Sequence, residues 1–228
     1  MFWQEDHSDQ PFEVPNNVVD VLFALDCKRL PVDHAHALSQ ALRQAVPWLD
    51  DTAGAGIHTI HVAASQNGWQ RPEHGSDQYL ILSRRSKLTI RIPAARVNDL
   101  MQGLVGKRLA VADCTLTVGE GRPRPLSKET TLFARYVVTQ PDDTEEEFLT
   151  WAASELAGID IRLRKALCGK SSPLATPEGP IHTRSLMLAD LPPDESVRLQ
   201  EIGLGPNRIM GCGIFIPHKG IEAVKKAG

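Results

Sequence analysis

The pattern β-α-β-β-α-β is written twice along this chain, and that repetition limits its folds more than any single residue does. Residues 18–26 (VVDVLFALD) form an apolar run of strand length. Pro31-Val32-Asp33 then offers a helix entry with Asp33 at the N-cap. Ala35, Leu38, Ala41, Leu42, Ala45 and Val46 follow at helical spacing, and Pro47 stops the run. Residues 54–75 are rich in glycine and polar side chains and read as loop with some short strand. Residues 79–83 and 87–92 read as a strand pair. Pro93 opens a helix with Val97, Leu100, Met101 and Leu104 on one face, and residues 109–118 alternate as a strand.

Residues 119–128, with two prolines, read as a linker, and the order then repeats. Residues 131–139 are rich in β-formers. Residues 143–156 carry the helical stripe Phe148, Ala152 and Leu156, and open on the acids Asp142, Asp143, Glu145, Glu146 and Glu147, as a helix start favours. Residues 162–168 and 181–189 are strand candidates joined by a turn-rich stretch. Residues 193–202 read as a short helix, and residues 211–216 as the last strand. The expected class is α+β: two tandem ferredoxin-like (RRM-like, βαββαβ) domains, residues 1–127 and 128–228. The fold hosts many functions and proves none. It raises RNA binding, because RNA-recognition modules share the topology.

Composition narrows the classes. The chain has 228 residues, enough for one large domain or two small ones. No stretch approaches the ~20 apolar residues of a membrane span, so no membrane partner is expected. The acidic start Met1-Phe2-Trp3-Gln4-Glu5-Asp6 lacks a secretory pattern, and Cys27, Cys114, Cys168 and Cys212 form no CxxC pair. A reduced cytoplasmic protein with no zinc site and no cofactor is expected. The net charge of −3 argues weakly against nucleic acid. Its distribution argues the other way: residues 80–128 hold ten basic side chains against Asp99, Asp113 and Glu120.

The richest motif follows the last helix pattern: Gly203-Leu204-Gly205-Pro206-Asn207-Arg208-Ile209-Met210-Gly211-Cys212-Gly213. Glycines let backbone amides approach a phosphate, and Arg208 between them offers a fork of donors. Equally, the glycines could serve a helix stop and a tight turn. The order helix, glycine loop, strand is the reverse of the familiar nucleotide loops. A nucleotide-binding α/β enzyme therefore rests on the glycines alone.

Taken with the tandem topology, these residues resemble a known family. The supporting segments are Leu30-Pro31-Val32-Asp33-His34, Asn67-Gly68-Trp69-Gln70-Arg71-Pro72, Leu82-Ser83-Arg84-Arg85-Ser86-Lys87-Leu88, Thr131-Leu132-Phe133-Ala134-Arg135-Tyr136 and Pro217-His218-Lys219-Gly220. The chain resembles the CRISPR-associated endoribonucleases that cut repeat RNA into guide RNAs, and within them the branch called the MYXAN subtype. The resemblance implies metal-independent cleavage of repeat RNA beside its hairpin, leaving a 2′,3′-cyclic phosphate and a 5′-hydroxyl. It implies the repeat RNA hairpin as partner. Many members stay on the guide RNA, so other interference-complex subunits are implied as well. Many members also have a tyrosine near the catalytic histidine, whereas here Tyr79 and Tyr136 both fall in strand patterns.

Attack by a ribose 2′-hydroxyl needs in-line geometry, proton transfer at both oxygens and positive charge near the phosphorane. Histidine suits the proton transfers near neutral pH. The resemblance points first to His34, at the start of the first helix; a capping or packing histidine is the alternative. His36, two residues on, is the choice if the register differs. His58, in Gly56-Ile57-His58-Thr59-Ile60-His61, is the candidate second acid/base group, with His61 close by. For RNA contact the candidates are Arg84, Arg85, Lys87 and Arg91 on the predicted hairpin, Lys165 and Lys170 in the second half, and Trp69 as a stacking platform. In and after the loop they are Gly203, Gly205, Arg208, Gly211, Gly213, His218 and Lys219. A non-catalytic subunit that holds the repeat hairpin remains the competing reading.

Overall fold

The computed structural model describes residues 12–61 and 78–218. Its first sheet is built around β1 (Val18–Asp26), whose alternation sends Val19, Val21 and Phe23 to a core face and Asp20 to the other. A short β2 (Arg29–Pro31) follows, then α1 (Ala35–Ala45), which buries Leu38 and Leu42. Next come β3 (Gly56–Ile57), β4 (Tyr79–Ile81), β5 (Lys87–Pro93) and α2 (Val97–Leu104), the last burying Leu100 and Leu104. β6 (Arg108–Val111) and β7 (Cys114–Pro125) form a hairpin whose turn places Ala112 at φ 54°. The sheet order is β3-β5-β1-β7-β6, antiparallel throughout. Both helices pack on the same face, and their leucines join Val21, Phe23, Ile90 and Ile92 in one core.

The second sheet, ordered β11-β8-β10-β9, contains β8 (Leu132–Val138), β9 (Lys165–Ser171), β10 (Thr183–Ala189) and β11 (Ile216–Pro217). α3 (Glu145–Ala157) and α4 (Pro193–Ile202) cover one face through Phe148, Ala152, Leu156 and Leu199. The acids at the start of α3 belong to a capping box. Thr144 accepts the Glu147 N–H, and the Glu147 carboxylate accepts the Thr144 N–H. The architecture is α+β with antiparallel sheets. Among the described residues no helix is long and apolar enough to cross a membrane.

Four local expectations are corrected. The strands at 79–81 and 87–93 do not pair with each other. β4 pairs with β2 in a separate two-stranded ribbon, while β5 sits between β1 and β3. Residues 119–125 are not a linker but the outer half of β7, paired with β1 from Val19 to Phe23. Past Thr117 the pairing with β6 ends. Among the described residues Pro123 and Pro125 therefore lie on an edge where no second strand needs their missing N–H. Asp33 does not cap α1: His34 holds the N-cap position, and the Asp33 carboxylate accepts the N–H of Ala175 in the other half. The stretch before the last strand is a short 3-10 turn, Arg208–Met210, which leaves only Ile216–Pro217 as strand.

Two arginines fasten the halves. Arg91 is fully buried, and its Nη1 donates to the carbonyls of Gln200 (2.9 Å) and Phe215 (3.0 Å). Arg208 reaches the opposite way, from the glycine loop to the carbonyls of Gly54 (3.2 Å) and Ala55 (3.4 Å).

Candidate active site

The two sheets meet at a cleft. From the first half comes the segment after β3, with His58 still tied to the sheet through its N–H on the Thr89 carbonyl (3.0 Å). From the second half come Phe133 and Arg135 on β8, whose alternation turns them away from the α3/α4 core, and Ile216 on β11. Gly211 of the glycine loop and His61 complete the walls. The Thr59 hydroxyl lies 2.9 Å from His61 Nε2. His218 packs on Phe133 with ring centres 5.7 Å apart. The cleft thus gathers two histidines and an arginine, the group types that proton transfer and phosphate charge require.

Behind His58 lies a buried charge network. Asp20 is 2% exposed and takes a two-pronged contact from Arg91, Nε to Oδ1 at 2.8 Å and Nη2 to Oδ2 at 3.2 Å. Arg124 adds a third bond to Oδ2 at 3.3 Å. His58 Nε2 lies 3.3 Å from Oδ1, at ion-pair distance but short of an aligned hydrogen bond. Burial alone would raise the Asp20 carboxyl, yet Arg91 and His58 outweigh it and hold the group well below the usual carboxylate range. Burial pushes His58 below its ordinary value, with Arg91 and Arg124 acting in the same direction and Asp20 against. Burial and the two arginines thus favour the neutral imidazole.

His34 has a different part. It is 1% exposed; its Nδ1 lies 2.8 Å from the Pro31 carbonyl, and its Nε2 accepts the Ile60 N–H at 2.9 Å. Donation to a carbonyl from Nδ1 and acceptance at Nε2 fix one neutral tautomer and spend both nitrogens on the backbone. His34, expected as the principal acid/base group, is here turned to the backbone and ties the entry of α1 to the segment carrying His58 and His61. His36 faces a separate hollow with Arg43, Glu178 and His182, whose lining shares no residue with the His58 cleft.

The glycine loop also differs from expectation. It grips the protein itself. Leu204 N–H donates to Gly213 O, Gly213 N–H to Tyr136 O, and Cys212 N–H to Asn207 O. Gly203 (φ 77°) and Gly213 (φ 65°) hold left-handed backbone, and a Cβ at either would overlap a neighbour: the Arg208 guanidinium for Gly203, the Leu204 carbonyl for Gly213. Gly205 lies against the Trp151 ring and Gly211 against Thr59 and Ile57. Arg208, bonded to three backbone carbonyls and pushed down to about 10 by burial, is an internal brace rather than a phosphate ligand. Arg91, expected on an RNA-facing strand surface, is likewise corrected: β5 is an inner strand and Arg91 lies under the second half.

The other basic candidates stay outside. Arg84 and Arg85 are exposed in the turn before β5, and Lys87 borders a surface hollow with Arg122. Lys170 is exposed on β9, whereas Lys165 pairs with Asp190 at 2.7 Å. Trp69 and Lys219 lie outside the described residues. Sequence reasoning assigned no role to Arg135 or Phe133. Their signal was the β8 alternation, which puts one basic and one aromatic residue on the face opposite the core.

A family model described as Cas6 Crispr matches residues 19–220. The chain belongs to the Cas6 family of CRISPR-associated proteins. Among its relatives is the CRISPR-associated endonuclease Cas6 of Myxococcus xanthus (strain DK1622), 27% identical over 199 residues, which cover 87% of this chain and 81% of the relative. The fold is similar to that of a solved CRISPR associated protein Cas6, with a TM-score of 0.59 at 12% identity over 89% of this chain and 100% of the other. It is also similar to a structure described as an RAMP protein binding different RNA substrates, with a TM-score of 0.58 at 11% identity, covering 87% of this chain and 98% of the other.

Proposed function

We propose that this protein is an endoribonuclease that processes CRISPR repeat RNA, without a metal ion, by attack of a ribose 2′-hydroxyl on the adjacent phosphate. The products are a 2′,3′-cyclic phosphate and a 5′-hydroxyl. The observation that carries the reading is the cleft in which His58 and His61 from one half face Arg135 from the other. Neutral His58 takes the 2′-hydroxyl proton, His61 protonates the leaving 5′-oxygen, and Arg135 meets the charge that develops on phosphorus. The relative named as a CRISPR-associated endonuclease supports the reaction class.

Two tandem ferredoxin-like domains, meeting near residues 127 and 128, are part of the same reading. The order β11-β8-β10-β9 matches that topology strand for strand, and β7-β1-β5-β3 repeats it with β6 as an added edge. Arg84, Arg85, Lys87 and Lys170 extend the RNA contact outside the cleft, with His218 at its rim, and the product stays on the protein as part of an interference complex.

The test is single-turnover cleavage of repeat RNA in excess chelator, beside an RNA carrying a 2′-deoxy sugar 5′ of the cut. Cleavage of the normal RNA alone is expected, and His58→Ala and His61→Ala should each lose ~10²–10⁴-fold in rate. Equal cleavage of the deoxy RNA would sink the mechanism.

A further inference from the structure

We propose that Asp20 is a positioning residue for the cleft: its carboxylate, 3.3 Å from the buried His58 Nε2, keeps that nitrogen turned inward by charge so that the other nitrogen serves the substrate. The inference rests on the reading of His58 as an acid/base group and goes further into how that group is set.

The argument starts from what a core ion pair requires. A buried carboxylate needs a partner, and Arg91 already supplies one with two bonds from the neighbouring strand. Asp20 nevertheless contacts two more groups. Arg124 reaches Oδ2 from β7, directly across the sheet, and His58 Nε2 approaches Oδ1. Of the three partners His58 lines the cleft, with 14% of its side chain exposed, while its Nε2 is wholly buried. The carboxylate therefore meets the ring at its buried nitrogen, while another part of the ring lines the cleft.

The charges around His58 oppose one another. Asp20 from β1 favours the imidazolium. Arg91 from β5 and Arg124 from β7 disfavour it, as does burial, and Arg135 from β8 lies across the cleft. Arg208 is near enough for its charge and that of Arg91 to repel. When the 2′-oxygen gives its proton to His58, the O2′–P bond forms and the P–O5′ bond breaks. The 5′-oxygen takes its proton from His61. The positive charge then on His58 lies beside Asp20, which is the stabilisation an orienting carboxylate supplies.

Two substitutions with opposite signs test this. Asp20→Asn removes the favourable charge; Arg124→Gln removes an unfavourable one at a side chain 56% exposed, so the core is spared. The readouts are NMR titration of the His58 ring and the pH profile of single-turnover cleavage. Arg124→Gln should move the His58 midpoint up, and Asp20→Asn should move it down. The acidic limb of the rate profile should follow each. General damage to the fold cannot shift one site in opposite directions. A His58 midpoint unmoved by Arg124→Gln, or moved the same way by both variants, overturns the inference. Should Asp20→Asn not fold, nitrogen NMR of the wild-type His58 ring decides: a proton on the buried Nε2 supports the orienting role of Asp20, and a proton on the other nitrogen overturns it. Midpoints that move as expected under an unmoved rate profile support the coupling and overturn the catalytic reading of His58.

Discussion

Arg91 and Asp20 stand opposite each other on β5 and β1, and the guanidinium engages both carboxylate oxygens at 2.8 and 3.2 Å with neither group open to solvent. The same guanidinium donates to Gln200 and Phe215 of the second half. One side chain thus joins the inner strands of the first sheet to the second half of the chain.

Replacing Arg91 by alanine leaves Asp20 as a buried charge with weaker partners. The expected loss is about 3–5 kcal/mol, because removing one member of a buried pair strands the other. Urea unfolding followed by circular dichroism measures it. A loss no larger than that of a surface arginine would show that the pair contributes little.

His34→Ala should behave as a stability variant. It leaves the Ile60 N–H and the Pro31 carbonyl without their ring partner, at about 1–3 kcal/mol for each buried group left unsatisfied. The folded fraction should cleave at a rate close to wild type at low temperature. An unchanged unfolding midpoint with a large fall in rate would return His34 to the chemistry.

Stability should fall as pH is lowered from neutrality. His58 has a folded pKa below the ordinary value of about 6.5, so the unfolded chain binds the proton more readily. Its contribution is complete above that ordinary value and is lost as pH falls toward the folded one. Asp20, also depressed, adds a further loss below about pH 4, the ordinary carboxylate range. Thermal melts between pH 8 and pH 5 separate the histidine part, and His58→Gln should flatten that limb; an identical slope in the variant would exclude His58 as its source.

The exposed pair Arg84 and Arg85 should act on RNA affinity rather than rate. Replacing both by alanine should weaken repeat binding and reduce the dependence of log K on log salt by ~0.7–0.9 for each phosphate no longer neutralised. Binding titrations at several salt concentrations read this directly. A variant with the wild-type slope would place the RNA track elsewhere.

Short-range patterns were enough to read much of the fold from sequence. The β1 run matches its strand at both ends, and the acids at 145–147 mark the start of α3 because the capping box is written within four residues. Alternation likewise announces β8, although its outward-facing Arg135 acquires meaning only when a second sheet comes near. What local sequence could not show was pairing between distant segments. Asp20 and Arg91 are 71 residues apart, and Arg208 lies 154 from the Gly54 carbonyl it bonds. An arginine in a strand or glycine loop carries the same chemistry whether it meets a phosphate or a backbone carbonyl, and burial decides which. The packing of one sheet against the other buried Arg91 and Arg208 inside the protein, sealed His34 between two backbone groups, and left His58 and His61 lining the cleft where the two halves meet.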